Sequence, residues 1–198
     1  MNGLLDLIGS HLNDDALSAM SAQSGAPREK LDAAVPAALS MLTAGLSNNA
    51  QGGGASALLG ALDRDHDGSI LDDLPALLGG GAAQSQGAGI LGHVLGSRQD
   101  MAAQGVAKAS GLDIGSAGNL LAMLAPVVMG ALGKQRREAS VDEGGLADLL
   151  RGERARADND MGLSGLTRML DMDGDGSVLD EITEIGGGLL GGLLGGRR

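Results

Sequence analysis

The sequence predicts an all-α protein, an internally duplicated helical bundle in which each half carries a shortened EF-hand-like acidic loop. Three observations support this fold class. Apolar residues recur at helical spacing between Gly-rich joints, and no segment has the alternation of a half-buried strand. Similar helices and turns follow one another in the same order twice. The acidic string DRDHDGSILDD, residues 63–73, returns as DMDGDGSVLDE, residues 171–181.

Helices in the first half are expected at 3–12, at 16–23, from Pro27 to the Gly-rich stretch 48–54, at 55–62 and at 72–78. Gly25 is expected to end the second helix. Pro27 is tolerated at a helix start because its missing N–H would have no partner there. The third helix has the clearest apolar face, with spacings of three or four residues between Leu31, Val35, Leu39, Leu42 and Leu46.

The second half repeats this order. The paired segments are 4–8 with 90–95, Ser24-Gly25 with Ser110-Gly111, and the surroundings of Pro36 with those of Pro126. The duplication divides the chain into a first repeat, 1–80, a second repeat, 87–185, and a Gly/Leu tail, 186–198. The Gly-rich segment 79–92 is the expected linker. Its GAGILG matches the G-x-G-x-x-G motif only formally, because no strand precedes it.

Two longer segments belong to the second half. Residues 114–133 carry no charge and are long enough to span a bilayer, but they include Asn119, Pro126 and four Gly. A buried core helix is therefore expected there. Residues 136–160 are the charge-rich segment outside the acidic strings, and they are expected to form a surface excursion, a solvated helix or linker.

Composition excludes several classes of function. The 198 residues include no Cys, which excludes disulfides and thiolate metal sites, and no Phe, Tyr or Trp. With 36 Gly in the chain, the protein is expected to depend on metal or on neighbouring subunits for rigidity. The net charge of −11 comes mainly from the acidic strings, which hold ten of the 25 acids. Nucleic-acid binding is not expected, because no broad basic patch is present.

Each acidic string has the donors of a calcium loop. Counted from its first Asp, it has Asp at positions 1, 3 and 5, Gly at 6 for a sharp turn, Ser at 7 and an apolar anchor at 8. Oxygen donors at this spacing suit a hard divalent cation. The expected ligands of two Ca²⁺ ions are Asp63, Asp65, Asp67, Ser69, Asp72 and Asp73, and then Asp171, Asp173, Asp175, Ser177, Asp180 and Glu181.

Both strings depart from an EF-hand at position 12. An EF-hand has a bidentate Glu there, and this chain has Leu74 or Ile182. The closing carboxylate is therefore at position 10 or at position 11, and the spacing leaves both open. Binding is expected to be weaker than in a cytosolic calcium buffer, on the order of 10⁻⁵ to 10⁻³ M. The alternatives are Mg²⁺ and Asx-type turns without metal.

No catalytic constellation is visible. His11, His66 and His93 are scattered, and the sequence has no G-x-S-x-G, H-E-x-x-H or Walker A motif. Since the acids are accounted for as metal ligands, the protein is not expected to be an enzyme.

The tail contains GGGLLGGLLGG, in which glycines four apart permit close helix packing. It is too short to cross a bilayer as a helix. Disorder, docking on its own domain, and pairing with another subunit or a lipid surface are the alternatives. At the N-terminus no signal peptide is expected, because a basic n-region is missing and Asp6 breaks the apolar run. The location is cytoplasmic by default, and the alternative is secretion by a non-Sec route.

Several motifs resemble a known bacterial family. They are LLGALDRDHDGSILDDLPALLGGG, LLAMLAPVVMGALGKQRRE, MLDMDGDGSVLDE and GGLLGGLLGG. They resemble the YidB-like domains of unknown function (number 937). The resemblance implies a small helical bacterial protein, and it brings neither an established activity nor catalytic residues. Some members are described as homeodomain-like in fold, but the charge of this chain does not favour DNA binding.

The expected function is that of a non-enzymatic calcium-binding structural protein, stabilised by Ca²⁺ and assembled into a homo-oligomer or filament. One alternative is a membrane-surface or pore-like protein that uses the tail 186–198. Another is a calcium sensor that changes its helix angles on binding.

Overall fold

The computed structural model describes residues 3–65, 68–139 and 141–160, without the side chains of Asp65 and of residues 157–160. This part of the chain is helical and contains no strand, which confirms the all-α prediction. Its α-helices are α1 (Leu4–His11), α2 (Asp14–Ser24), α3 (Arg28–Asn49), α4 (Ala55–Asp65), α5 (Leu74–Gly79), α6 (Ala82–Val94), α7 (Gln99–Ser110), α8 (Ile114–Ala139) and α9 (Glu143–Asp160). A kink at Ala50–Gly54, where Gly53 has φ 92°, joins α3 to α4, and 3-10 helices at Ser69–Asp73 and Gly96–Arg98 precede α5 and α7.

Residue contacts divide the chain into two compact units, Met1–Ala157 and Asp158–Arg198. The first unit contains helices from both predicted repeats, and within it α3 packs against α7 and α8. Beyond residue 160, the second repeat and the whole tail 186–198 lie outside the described residues. The duplication and its boundaries therefore stay predictions.

Helix α8 is the core element of the first unit. Helices α1, α2, α3, α6 and α7 all contact it, and its side chains are buried from Leu120 to Leu132. By length and composition α8 could cross a membrane, with a mean hydropathy of 1.6, but 78% of that window is buried inside the protein. The predicted core helix over 114–133 is confirmed.

Helices α2 and α7 end in the same local structure. Gly25 (φ 77°) and Gly111 (φ 70°) follow them in the left-handed conformation that glycine adopts without strain. The preceding Ser24 and Ser110 each donate to the carbonyl four residues back and accept from the N–H two residues on. The end of the second helix at Gly25 is thereby confirmed, and Gly111, its counterpart in the predicted duplication, ends α7 with an equivalent cap.

The segment predicted as a linker, 79–92, is mostly helical. Helix α6 occupies residues 82–94 and packs along α8. Gly87 is buried, and a Cβ built on it would overlap the carbonyl group of Ala122. The linker prediction is wrong because glycine here allows two helix backbones to approach closely, and does not make the chain flexible.

Much of the charged segment 136–160 belongs to the first unit and contributes to its core. Leu146 and Leu150 of α9 are fully buried. Glu153 is 3% exposed and accepts a hydrogen bond of 2.8 Å from the backbone N–H of Leu4. The first N–H groups of a helix have no partner within the helix, so Glu153 supplies one for α1. The expectation of a solvated excursion is wrong for these residues, because α9 has an apolar face between its charges.

Candidate metal centre

The described part of the first acidic loop after α4, residues 68–73, precedes α5 and lies against α8. Gly68 has φ 89° and is buried. A Cβ on it would lie 2.8 Å from the Cβ of Lys134 and 3.3 Å from the carbonyl oxygen of Gly130. Only glycine suits both this backbone conformation and this space. Gly68, at loop position 6, therefore has a positive φ, which suits the sharp turn expected there, and the metal loop around it stays a prediction.

Ile70, at loop position 8, anchors the loop to α8. Its side chain fills the space left by the missing side chain of Gly130, where a Cβ would overlap the Ile70 Cγ2 atom. Ile70 is partly buried and packs against the hydrophobic core. Two contacts, those of Gly68 and Ile70, thus hold the middle of the loop on one face of α8.

Asp63, at loop position 1, forms an ion pair with Arg136 of α8. The contact joins Asp63 Oδ1 to the Arg136 Nη1 atom, and the two side chains are 56% and 22% exposed. A carboxylate has two acceptor oxygens, so this pair does not use the full capacity of Asp63. An arginine from α8 therefore partly neutralises the first carboxylate of the loop.

The two candidates for the closing carboxylate differ in their contacts. Asp73 caps α5, since its Oδ1 accepts a hydrogen bond of 3.3 Å from the backbone N–H of Ala76. Asp72 is exposed and has no hydrogen-bond or ion-pair partner among the described residues. Ser69 is exposed at the start of the 3-10 helix that contains Asp72.

The described residues do not bring three candidate ligands into one group. The side chain of Asp65 and all of Asp67 are outside them, as are His66 and the second loop with Asp171, Asp173, Asp175, Ser177, Asp180 and Glu181. Positions 63 and 65 both lie in α4. Because helix positions two apart are on different faces, a cation shared by these two requires α4 to end before Asp65.

The two histidines in the described chain have ordinary helical surroundings. His11 Nδ1 lies 2.9 Å from the carbonyl oxygen of Leu7, and His93 Nδ1 lies 2.9 Å from that of Gly89. Each contact is made within the histidine's own helix.

An apolar cleft of about 740 Å³ lies between α4 and α6, next to the loop, and the sequence does not predict it. Its lining residues are Asn49, Gly54, Ala57, Leu58, Ala61, Arg64, Gln86, Gly89, Ile90, His93, Val94 and Met129. The small residues among them leave room between the two helices. The sequence indicates this room only if residues 82–94 are already known to form a helix that faces α4.

Residues 6–135 match the model of a family described as bacterial protein of unknown function, DUF937. This stretch is more than half of the chain, and it includes the first acidic loop and most of α8. The chain belongs to this family. The resemblance noted from the sequence motifs is confirmed, and the description of the family assigns no activity to its members. No curated protein and no solved structure matches the chain.

Proposed function

We propose that this protein is a non-enzymatic calcium-binding structural protein whose fold is stabilised by Ca²⁺. The observation that carries the proposal is the anchoring of loop 63–73: Gly68 and Ile70 hold against α8 a segment with the donor spacing of a calcium loop. An anchored loop has fewer conformations than a free one, so less entropy is lost when its oxygens gather around an ion.

The closing ligand of the first site is Asp72, at position 10. Asp73 already accepts a hydrogen bond from the backbone N–H of Ala76. If Asp73 turned to the metal instead, this N–H in the first turn of α5 would lose its acceptor. Asp72 is free of such a role in the part of the chain that the structure describes.

Calcium binding replaces Arg136 as the partner of Asp63. A half-exposed ion pair of this kind contributes only about 0–1 kcal/mol, so a divalent cation can displace the guanidinium at little cost. Coordination by both Asp63 and Asp65 also unwinds the end of α4. The protein therefore exchanges a short piece of helix and one surface ion pair for the metal.

The second site is proposed from the repeat. The acidic string at 171–181 has the same donor spacing as the first, and the equivalent caps at Gly25 and Gly111 support the duplication of the chain. Its ligands are Asp171, Asp173, Asp175, Ser177, Asp180 and Glu181.

Thermal unfolding in calcium and in chelator, followed by far-UV circular dichroism, tests the proposal. For a site with Kd near 10⁻⁴ M, calcium at 100 times that concentration stabilises the folded state by about 2.7 kcal/mol. For a chain of this size, that corresponds to a rise in Tm of roughly 5–11 °C. Equal melting temperatures in calcium and in chelator would show that the loops are only turns.

Variants give the test its matched control. Asp63→Asn combined with Asp171→Asn is expected to abolish the calcium-dependent rise in Tm. Asp14→Asn removes an acid that also pairs with an arginine, Arg28 at 2.9 Å, but lies outside both loops, and it is expected to keep the rise. Arg136→Gln is expected to strengthen calcium binding, and weaker binding by this variant would contradict the exchange of partners at Asp63.

Self-association is the second part of the proposal, and it is supported by the Gly/Leu pattern of the tail. Light scattering of the full chain in calcium and in chelator tests it, with oligomers expected in calcium. Monomers in both conditions contradict self-association. Calcium-independent co-sedimentation with lipid vesicles would instead favour the membrane-surface alternative.

A further inference from the structure

We propose that the cleft between α4 and α6 binds an amphiphile with one alkyl chain and one carboxylate, a medium- or long-chain fatty acid. The proposal does not require calcium, but Arg64 lies between the proposed ligands Asp63 and Asp65, so it concerns the protein with its loop free of metal. It rests on the shape and lining of the cleft and on the charge at its edge.

The interior of the cleft suits an alkyl chain. Its volume of about 740 Å³ is within the usual range for small-molecule pockets. Leu58, Ile90, Val94 and Met129 supply apolar contacts, and Met129 reaches it from the core helix α8. Ala57, Ala61 and Gly89 leave the space open between the two helices. Burial of a hydrocarbon chain against this lining removes apolar surface from water.

Arg64 supplies the charge for the head group. It lies in the last turn of α4, and it forms no hydrogen bond or ion pair within the described chain. Among the residues that the structure describes, no acid lines the cleft. The neighbouring Asp63 pairs with Arg136 of α8 and is not a lining residue. The guanidinium group donates in a fixed fork that matches a carboxylate, so the cleft combines an apolar interior with a cation available for an anionic head.

At the other end of the cleft, the side chain of Asn49 and the backbone carbonyl of His93 are uncharged groups. The Asn49 side-chain amide donates to the backbone carbonyl of His93 at 3.1 Å. Along α4, Ala57 and Arg64 are about 10 Å apart, because each helical residue adds ~1.5 Å. A carboxylate at Arg64 therefore places an alkyl chain along Leu58 and Val94. This arrangement suits a ligand that carries a charge at just one of its two ends.

Isothermal titration of the full chain with dodecanoate, below its micelle concentration and in calcium chelator, tests the proposal. One saturable site is expected, with affinity about tenfold or more above that for dodecanol. Arg64→Gln is expected to remove this preference while the affinity for dodecanol stays the same. Arg98→Gln removes the same charge from an exposed arginine outside the cleft, and it is expected to bind as the wild type does.

A pair of glycine variants tests the location of the site. A Cβ at Gly89 or at Gly92 meets no atom within 4 Å, and of the two only Gly89 lines the cleft. Gly89→Leu is expected to fill the cleft and abolish binding, whereas Gly92→Leu, on the same helix, is expected to keep it. The proposal is overturned by equal binding of the two variants, by an unchanged preference in Arg64→Gln, or by the absence of saturable binding to the wild type. The last result is the one expected if a second copy or another segment of the chain covers the cleft.

Discussion

Replacement of Gly87 by Ala is expected to separate α6 from α8 and destabilise the protein. In an exposed helix position the change from Gly to Ala is favourable by about 1 kcal/mol. At Gly87 the new Cβ would overlap the carbonyl group of Ala122, where an ordinary contact begins at 3.4 Å. Both helices must therefore move apart by more than an ångström at this point, since a backbone carbonyl cannot rotate away as a side chain can.

The size of the effect follows from the two opposing terms. Overpacking in a core costs roughly 1–3 kcal/mol, and the upper end applies because the overlap is with backbone. Subtracting the helix-propensity gain leaves a net loss of about 2 kcal/mol, or a fall in Tm of roughly 4–8 °C for a chain of this size. Gly92 lies on the same helix in open space, and Gly92→Ala is expected to raise Tm by roughly 2–4 °C.

Far-UV circular dichroism during thermal or urea unfolding measures both variants against the wild type. The chain has no aromatic residue, so intrinsic fluorescence is not a usable probe. If Gly87→Ala proves as stable as Gly92→Ala, the two helices are not in backbone contact, and the account of α6 as a closely packed helix fails.

Three further predictions concern other contacts of the first unit. Glu153→Ala is expected to lose about 1–3 kcal/mol in chemical denaturation, because it leaves the N–H of Leu4 without its buried acceptor, and an unchanged midpoint would contradict this role. Gly68→Ala is expected to cost about 1–2 kcal/mol or more from its positive φ and its contact with α8, and full stability of the variant would refute the tight turn. Hydrogen bonds from the hydroxyl and the N–H of Ser116 hold the pKa of Asp113 below its usual 3.8. A lowered pKa stabilises the folded state above pH 3.8, and this stabilisation is lost as pH falls through the folded-state value. Asp113→Ala is therefore expected to lower Tm at neutral pH, and the difference in Tm from the wild type is expected to shrink in acid. A difference in Tm that does not change with pH would contradict this account.

The helices were predictable wherever local rules decide them. The end of α2 at Gly25 follows from the need for a left-handed residue after a helix, and the start of α3 after Pro27 follows from the geometry of proline. The burial of α8 follows from a long uncharged stretch that a small protein must place in its core. Each of these predictions uses one continuous stretch of the sequence.

The errors have a common physical cause. Gly87 and Gly92 belong to the same Gly-rich motif and cannot be told apart by composition, yet one touches a backbone and the other faces open space. Likewise, the charges of α9 conceal the apolar face formed by Leu146 and Leu150. In both segments the deciding partner is on a helix distant in sequence, which no local pattern specifies.

The candidate metal loop divides in the same way. The roles of Gly68 and Ile70 were readable from the acidic string, because a turn and its anchor are set by residue type and spacing. The pairing of Asp63 with Arg136 could not be predicted from the string, because it depends on the position of α8 beside the loop.

By itself, the sequence determined the helical class, the end of α2 at Gly25, the core helix and the family, because helix periodicity, capping and residue type are local properties of the chain. Only the tertiary structure decided which glycines allow close packing, which acid has a cationic partner, and that α4 and α6 leave an apolar cleft between them. These features depend on the distance between segments remote in sequence, and the packing of α8 against its neighbours sets that distance.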